Sequence, residues 1–575
     1  MDADGNFDVV IFGTGITESI AAAALSKAGL KVAHLDSNAY YGGDEASLTL
    51  EELAQWADSR QPAAAQTSPY LSEQRNKFTS ITRSSTIPDH PRQYSVSLAP
   101  SLITSVGPLI TSLVSSGVSR YGGYRLLERV GLYDSAVGIR NVPGSKEDVF
   151  KSQEMSLLDK RRLMRFLMFA SGDFEDKKEL LGHQDSPFIE FLRTAFSLGK
   201  EVSEAIAYAL AFCTSSTDPT LTALQRLRSY LRSSGRYGSS PFLVGHYGGL
   251  GEIAQGFCRV SAVNSGVYIL DRPIRSIISS SNSVENTATP TGDFSPSRRD
   301  KYVVELEDFP EPMTADLIIS SASLLPEGLR ETAHFLPQQT SSTVLSRARC
   351  IAIIDRPISF PTSLRADEDP SPEPASVADT NPVPSVDNSP VDTSVVVFPP
   401  SSLEGGSSTS AVHAFITGQG SMSAPQGKYI VYLSVPMDET QDTLPETILN
   451  PYLDAILSLT VSPSPEASIP PTPLFTLFYA EHPSERTQST STENKSSTVL
   501  VSPPISTALS ETSDAASDAA EVLFFKAIEI LKARRREAWT VREGSVEAGS
   551  GGDVFEELKF WPPLDGDPEE EAGEW

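Results

Sequence analysis

Apolar and polar positions along this chain follow two rhythms. Residues 7–12, FDVVIF, form a short apolar run rich in β-branched side chains. A run without a polar face predicts a strand covered on both sides, as in a parallel sheet. Gly13 and Gly15 follow at once. Ile16–Ala28 then predicts a helix, whose four consecutive alanines give high propensity and close packing. Leu30–Leu35 predicts a second strand, with Asp36 at its end. The three pieces make a βαβ unit.

Between 151 and 234 the rhythm becomes helical throughout. MSLLDKRRLMRFLMFA, SPFIEFLRTAF, GKEVSEAIAYALAFC and LTALQRLRSYLRSS all repeat their apolar residues at helical spacing. Strands and helices alternate before and after this stretch. SLAPSLITSVGPLITSLV and YRLLERVGLYD lie in 94–150, whereas 61–90 is polar and reads as a loop or lid. After Gly235, GEIAQGFCRVSAV predicts a helix and VYIL the strand that follows. KYVVELED, ADLIIS, VVVFPP, KYIVYLSVP and PLFTLFYAE predict further strands, and AAEVLFFKAIEILKARR a closing helix. Residues 278–300, 364–391 and 484–498 are rich in Ser, Thr, Pro or acidic residues and predict disordered insertions. The pattern predicts a large domain in discontinuous pieces, 1–150 and 235–540. A helical domain, 151–234, is inserted between them, and an acidic disordered tail occupies 541–575.

Composition narrows the function. The chain has 575 residues, enough for several domain-sized cores, and its 39% hydrophobic share agrees with long unstructured insertions. Lys+Arg 46 against Asp+Glu 74 leaves a net charge of −28. That excludes a general nucleic-acid binder, which must neutralise phosphates, and suits basic or neutral partners. Cys213, Cys258 and Cys350 have neither metal-ligand spacing nor the numbers for a disulfide framework, which predicts a reducing, cytoplasmic setting. The seven histidines form no metal motif, and no nucleophile–base arrangement is legible. MDADGNFD enters a strand directly, no apolar run reaches membrane-spanning length, and EAGEW holds no prenylation cysteine. On this reading the chain has no leader, membrane span or lipid of its own.

The βαβ unit raises the question of a dinucleotide. Gly13, Gly15 and Asp36 match the turn, the phosphate approach and the ribose-binding acid of such a motif. Glu18 does not: it stands where the third glycine belongs. A carboxylate in the first helical turn suits the helix dipole but repels a pyrophosphate. Asp44 and Glu45, after the Gly42–Gly43 doublet, add anions where phosphates require cations. The four residues Gly13, Gly15, Glu18 and Asp36 therefore read as a vestige, with no cofactor expected. Asp36 is expected to cap a turn with Ser37 and Asn38.

Several long segments resemble the Rab escort proteins and their relatives, the Rab GDP-dissociation inhibitors. The resemblance is carried by FDVVIFGTGITESIAAAALSKAGLKVAHLDSNAYYGGDEASLTL, in which GTGITE has the family's glutamate variant of the glycine motif. It continues in VSRYGGYRLLERVGLY, VPGSKEDVFKSQEMSLLDKRRLMRFLMF and GRYGSSPFLVGHYGGLGEIAQGFCRVSAVNSGVYIL. It covers most of 6–275 and then strands as far as about 535. VPGSKEDVF, GRYGSSPFL, QGFCR and the acidic FWPPLDGDPEEE point to the escort branch.

The resemblance implies an α/β fold: a large discontinuous FAD/NAD(P)-binding-like domain of the GDI type with an inserted small helical domain. It implies no enzyme but a lipid chaperone, one that binds GDP-bound Rab GTPases and presents them to the geranylgeranyl transferase heterodimer. The product, with its geranylgeranyl lipid, would be carried to membranes by a cytoplasmic protein that touches them transiently. A Rab-binding platform would map onto Tyr41, Arg92, Glu252, Arg259 and Ile269. Leu126 and Leu127 lie near the expected path of the Rab C-terminus, with buried strand positions as the alternative. The prenyl cleft would draw on Phe166, Phe169, Phe188, Leu192, Ile206 and Leu210, for which ordinary core packing is the alternative. Ala205 stands where an aromatic anchor for the transferase is expected. Two other functions remain open: a Rab GDP-dissociation inhibitor, and a flavin-dependent oxidoreductase. The second requires glycine at 18 and a late Gly–Asp pair, which 499–535 lacks.

Overall fold

The N-terminal apolar run becomes the centre of a sheet. Asn6–Phe12 pairs in parallel with Val32–Leu35 on one side and Met313–Ser320 on the other. Val267–Ile269 and Val499–Val501 extend the parallel order outward. Val9, Val10 and Ile11 are fully buried, as a strand covered on both faces requires. Helices Ile16–Lys27, Pro108–Ser116, Leu250–Val263 and Thr512–Arg542 cover one face. Small residues let two of these helices approach closely: Ser26 and Ser261 hydroxyls meet at 2.8 Å, and Ser19 lies 3.4 Å from the Cys258 sulfur. On the other face the core includes residues of Tyr302–Leu306, which pairs antiparallel with Met313–Ser320.

A second sheet of eight strands is mostly antiparallel. Its order runs from Phe78–Arg83 through Phe475–Glu481, Arg347–Ile354, Tyr429–Pro436, Val412–Thr417 and Ser394–Phe398 to Arg129–Asp134 and Gly138–Asn141. One face carries the helices Leu157–Ser171, Phe188–Ala195, Lys200–Glu204 and Thr220–Ser233. Helix Pro445–Ser458 packs on the other. Arg226 ties the helical unit to the start of the last helix, with Asp218 at 2.8 Å and Glu511 at 3.2 Å.

This computed structural model describes residues 5–62, 68–142, 156–279, 301–337, 346–361, 388–437, 443–460, 471–483, 497–542 and 558–562. Most of the expected insertions at 278–300, 364–391 and 484–498, most of the tail, and VPGSKEDVF after its first residue lie outside them. Four local expectations change. The stretch read as a loop at 61–90 contains helix Pro69–Lys77 and strand Phe78–Arg83. Its start is set by the Ser68 hydroxyl, which accepts the Leu71 N–H, and by Pro69. Residues 388–391, grouped with the acidic insertion, pair antiparallel with Ile358–Pro361. Helix Pro445–Ser458 adds an element that was not expected: Pro451 inside it argues against a helix, although Pro445 at its start and Leu449, Tyr452, Leu453 and Ile456 stand at helical spacing. Within the acidic tail, Phe560 is 9% exposed and packs at 5.5 Å from Phe524, while Trp561 stacks 5.9 Å from Phe257 and donates to Ser112. Those two aromatics gain a buried surface that the surrounding acidic composition hides.

Candidate functional site

Two places merit a functional reading, and the first is the vestigial glycine motif. Gly13 makes the turn with φ +93°. Gly15 faces carboxylates: a Cβ there would lie 2.7 Å from Glu18 Oε2 and 2.9 Å from Glu45 Oε2. Glu45 accepts the N–H of Ile16 at 3.2 Å, the donor that a phosphate would use, and Glu18 accepts from Ser502 at 2.6 Å. Asp36 is equally committed. It accepts from Thr14 N–H and hydroxyl at 2.7 and 2.6 Å, and from Asn38 N–H and amide at 2.8 and 2.9 Å. The expected cap on Asn38 is present, with Thr14 as the partner that sequence did not indicate. Asp44 bonds to Lys77 at 2.7 Å and to Gln74 at 2.9 Å.

The electrostatics follow. Burial raises the Glu18 carboxyl, against the Ser502 hydrogen bond. Burial, reinforced by the Asp44 charge, pushes Glu45 up to about 8. Burial would also raise Asp44, but the Lys77 charge and its hydrogen bonds outweigh it and hold Asp44 low. A flavin pyrophosphate does not fit this arrangement, because two carboxyls fill its place and the ribose-binding acid is saturated.

The second place is the exposed side of helix Leu250–Val263. The turn after the first βαβ unit docks on the start of this helix: a Cβ on Gly42 would sit 3.2 Å from Gly251 Cα, and one on Gly251 only 2.2 Å from Ser47 N. These glycines are needed for close backbone approach. The contact brings Tyr41 to the helix, where its ring meets Tyr268 edge-on at 6.1 Å. Ile269 follows Tyr268 and bonds through its carbonyl to Asp36 N–H at 3.0 Å. Glu252 and Arg259 lie two turns apart on the helix. Among the described residues neither makes an ion pair. Arg259 instead lies 4.4 Å over the Tyr121 ring, and burial raises the Glu252 carboxyl. Arg92 is at the rim, its side chain 86% exposed and 3.9 Å from Glu51. Tyr41 thus meets the helix that carries Glu252 and Arg259, whereas the Ile269 side chain packs with Phe12 and Leu35 on the opposite face of the sheet, because side chains alternate along a strand, and is not brought to this face. Tyr121 was missed, since only folding places it beneath Arg259.

Other named residues divide. Leu126 is half-buried on a strand paired with Phe242–Gly245, but Leu127 is 1% exposed in the core, so Leu127 is not an accessible contact. Phe166, Phe188, Leu192, Ile206 and Leu210 are buried in one cluster, with Phe169 packed against it. Phe196 joins Phe166 and Phe169, 5.1 Å from each, in a closed aromatic core. Ala205, half-buried, opens a π-helical turn, Ala205–Leu210, that contains both Ile206 and Leu210.

The chain is similar to known proteins in sequence and in fold. A family model described as GDP dissociation inhibitor matches residues 1–295. A Drosophila melanogaster protein named Rab proteins geranylgeranyltransferase component A is 35% identical over 293 residues, covering 49% of this chain and 56% of that one. A Saccharomyces cerevisiae protein of the same name is 28% identical, covering 74% of this chain and 61% of the relative, so this chain spans about three-fifths or less of both. The Rab GDP-dissociation inhibitor of the same yeast is 30% identical over 374 residues, covering 63% of this chain and 71% of the relative. Among solved structures, a RAB GDI from Plasmodium falciparum superposes with a TM-score of 0.56 at 20% identity, covering 92% of this chain and 98% of its own. An oxidoreductase from Methanosarcina mazei reaches 0.51 at 15% identity over 90% of this chain and 99% of its own, a likeness of fold. With a filled nucleotide motif, a family match over its first half and an inhibitor of 30% identity, the chain belongs to the GDP dissociation inhibitor family.

Proposed function

We propose that this protein is a Rab escort protein, a non-catalytic accessory chain that binds GDP-bound Rab GTPases and presents them to geranylgeranyl transferase. The observation that carries this reading is the proximity of Tyr41 to the helix that carries Glu252 and Arg259, with neither charged group in an ion pair among the described residues. An aromatic beside charges that no ion pair neutralises is a recognition centre of the kind that dominates protein interfaces. Arg92 widens it at the rim. The names of the component A relatives favour the escort role.

The helical unit supplies the lipid chaperone. A geranylgeranyl chain is costly to leave in water, at about 0.8 kcal/mol for each buried CH₂ group. The core formed by Phe166, Phe169, Phe188, Leu192, Ile206 and Leu210 is already apolar, and a cleft opens in it when the helices part. The π-helical turn at Ala205–Leu210 is a ready hinge, since such turns are rare and concentrate at functional sites. Residues 151–234 then act as the lipid-carrying domain, and the Rab tail passes along the Leu126 strand toward it. Among the described residues no helix is long and apolar enough to cross a membrane. In this proposal delivery is by transient membrane contact of a cytoplasmic carrier.

A second reading, a GDP-dissociation inhibitor that extracts prenylated Rabs, draws on the 30% identity to the yeast inhibitor. Sedimentation of this chain with an unprenylated Rab and the transferase separates the two. An escort protein forms a ternary complex with Rab·GDP and loses it with Rab·GTP. Absence of the complex, with tight binding of prenylated Rab·GDP, gives the inhibitor role instead.

A further inference from the structure

Two large apolar side chains on the platform face are left unused by the reading above. Tyr247 and Met422 are each 49% exposed. Their backbones adjoin, because the Tyr247 N–H donates to the Ser421 carbonyl at 3.0 Å. Both residues lie in the left-handed region, Tyr247 at φ +52° and Met422 at φ +55°. That region is costly for a bulky side chain and free of cost for glycine. Glycine is at hand: Gly248 and Gly249 follow Tyr247 directly, with φ +84° and +82°. Large residues kept where glycine would remove strain point to a use outside the fold.

The backbone beneath them is pinned. The Gly420 N–H donates to Asp392 at 3.0 Å, and that carboxylate is held by Arg125 at 2.9 Å. The buried Ser421 hydroxyl donates to the Gly418 carbonyl at 3.0 Å, and the Ser95 N–H to the Ser423 carbonyl at 2.9 Å. His246, next to Tyr247, takes its N–H to the Gly123 carbonyl at 2.9 Å. The face is continuous with the platform, since His246, Tyr121 and Glu252 line one shallow cavity. Tyr121 is itself 58% exposed beneath Arg259.

We infer that Tyr247 and Met422 form an apolar ridge of the platform, which docks an apolar patch of the GDP-bound GTPase while Glu252 and Arg259 engage its polar groups. The inference rests on the escort reading. A tyrosine paired with a polarizable, adaptable methionine suits a surface that must accept several related partners.

The test titrates an unprenylated Rab·GDP with the full chain and with Tyr247→Gly, Met422→Gly, the double variant, Tyr247→Asn and Arg259→Ala, recording Tm for each. Glycine relieves the left-handed strain, so the glycine variants keep or raise Tm. The double variant loses affinity by about tenfold or more, and Tyr247→Asn, which tolerates the same φ, loses it in part. Unchanged affinity in the double variant, with Arg259→Ala weakened, overturns the ridge and leaves the platform standing. Unchanged affinity in every variant overturns the platform and the ridge together. A lowered Tm in the glycine variants assigns both side chains to the fold and overturns the ridge.

Discussion

At the scale of residues, Arg259 and Glu45 show what one side chain can decide. Arg259 lies on an aromatic ring rather than against a carboxylate, so its removal is expected to cost the fold little and, in the proposed function, to cost binding of the partner more. Arg259→Ala and Tyr41→Ala are each expected to weaken Rab·GDP binding by about 1 kcal/mol or more, read by titration calorimetry, with Tm nearly unchanged for Arg259→Ala. Glu45 acts on stability. Its carboxyl stands at about 8 in the fold against 4.5 when free. Between those values the folded chain holds a proton that the unfolded chain releases. Its contribution is therefore fully present below about 4.5 and is lost as pH rises toward 8. Glu45→Gln should flatten that decline, so its Tm relative to the parent rises from pH 5 to pH 8; a constant difference would mean that Glu45 does not hold the proton. Much of this site was legible. Glu18 already argued against a nucleotide, and Asp44 and Glu45 stood out as misplaced anions. That Glu45 reaches back to the Ile16 N–H and crowds Gly15 was not legible, because Ile16 and Glu45 are 29 positions apart in sequence and folding alone closes the gap.

At the scale of elements, periodicity served well where one face is apolar and failed where the signal is local or borrowed. The strand FDVVIF, the helix GEIAQGFCRVSAV and the four helical segments of 151–234 announce themselves by spacing. Helix Pro69–Lys77 does not: its one buried residue is Gln74, which accepts from Arg60 at 2.7 and 3.0 Å and donates to Asp44. A polar interior leaves no hydrophobic stripe to read. The segment at 558–562 is borrowed in another sense, since its aromatics fold only against Phe257, Ser112 and Phe524, which are distant in sequence. Phe560→Ala should lower stability by about 3 kcal/mol in denaturant titration, on the scale of buried aromatic truncations. A change within about 0.5 kcal/mol would place Phe560 among surface positions. Helix Leu250–Val263 receives this contact on its inner side at Phe257 and presents Arg259 on its outer side, so the same element joins the tail to the proposed binding face.

At the scale of the molecule, the proposed function gives one architecture two tasks. The first sheet, built as if for a dinucleotide, closes its phosphate site with carboxyls, and the proposal makes the neighbouring helix a protein-binding face. The second sheet carries a helical unit with a closed apolar core, which in the proposal takes up the lipid. A net charge of −28 favours dispersion of such a carrier and attracts basic partners over distances that salt shortens. The most direct measurement is prenyl transfer to an unprenylated Rab by purified geranylgeranyl transferase, with and without this protein. Transfer that depends strictly on the protein, and that falls with Arg259→Ala, is the predicted result. Equal transfer in its absence would contradict the escort role.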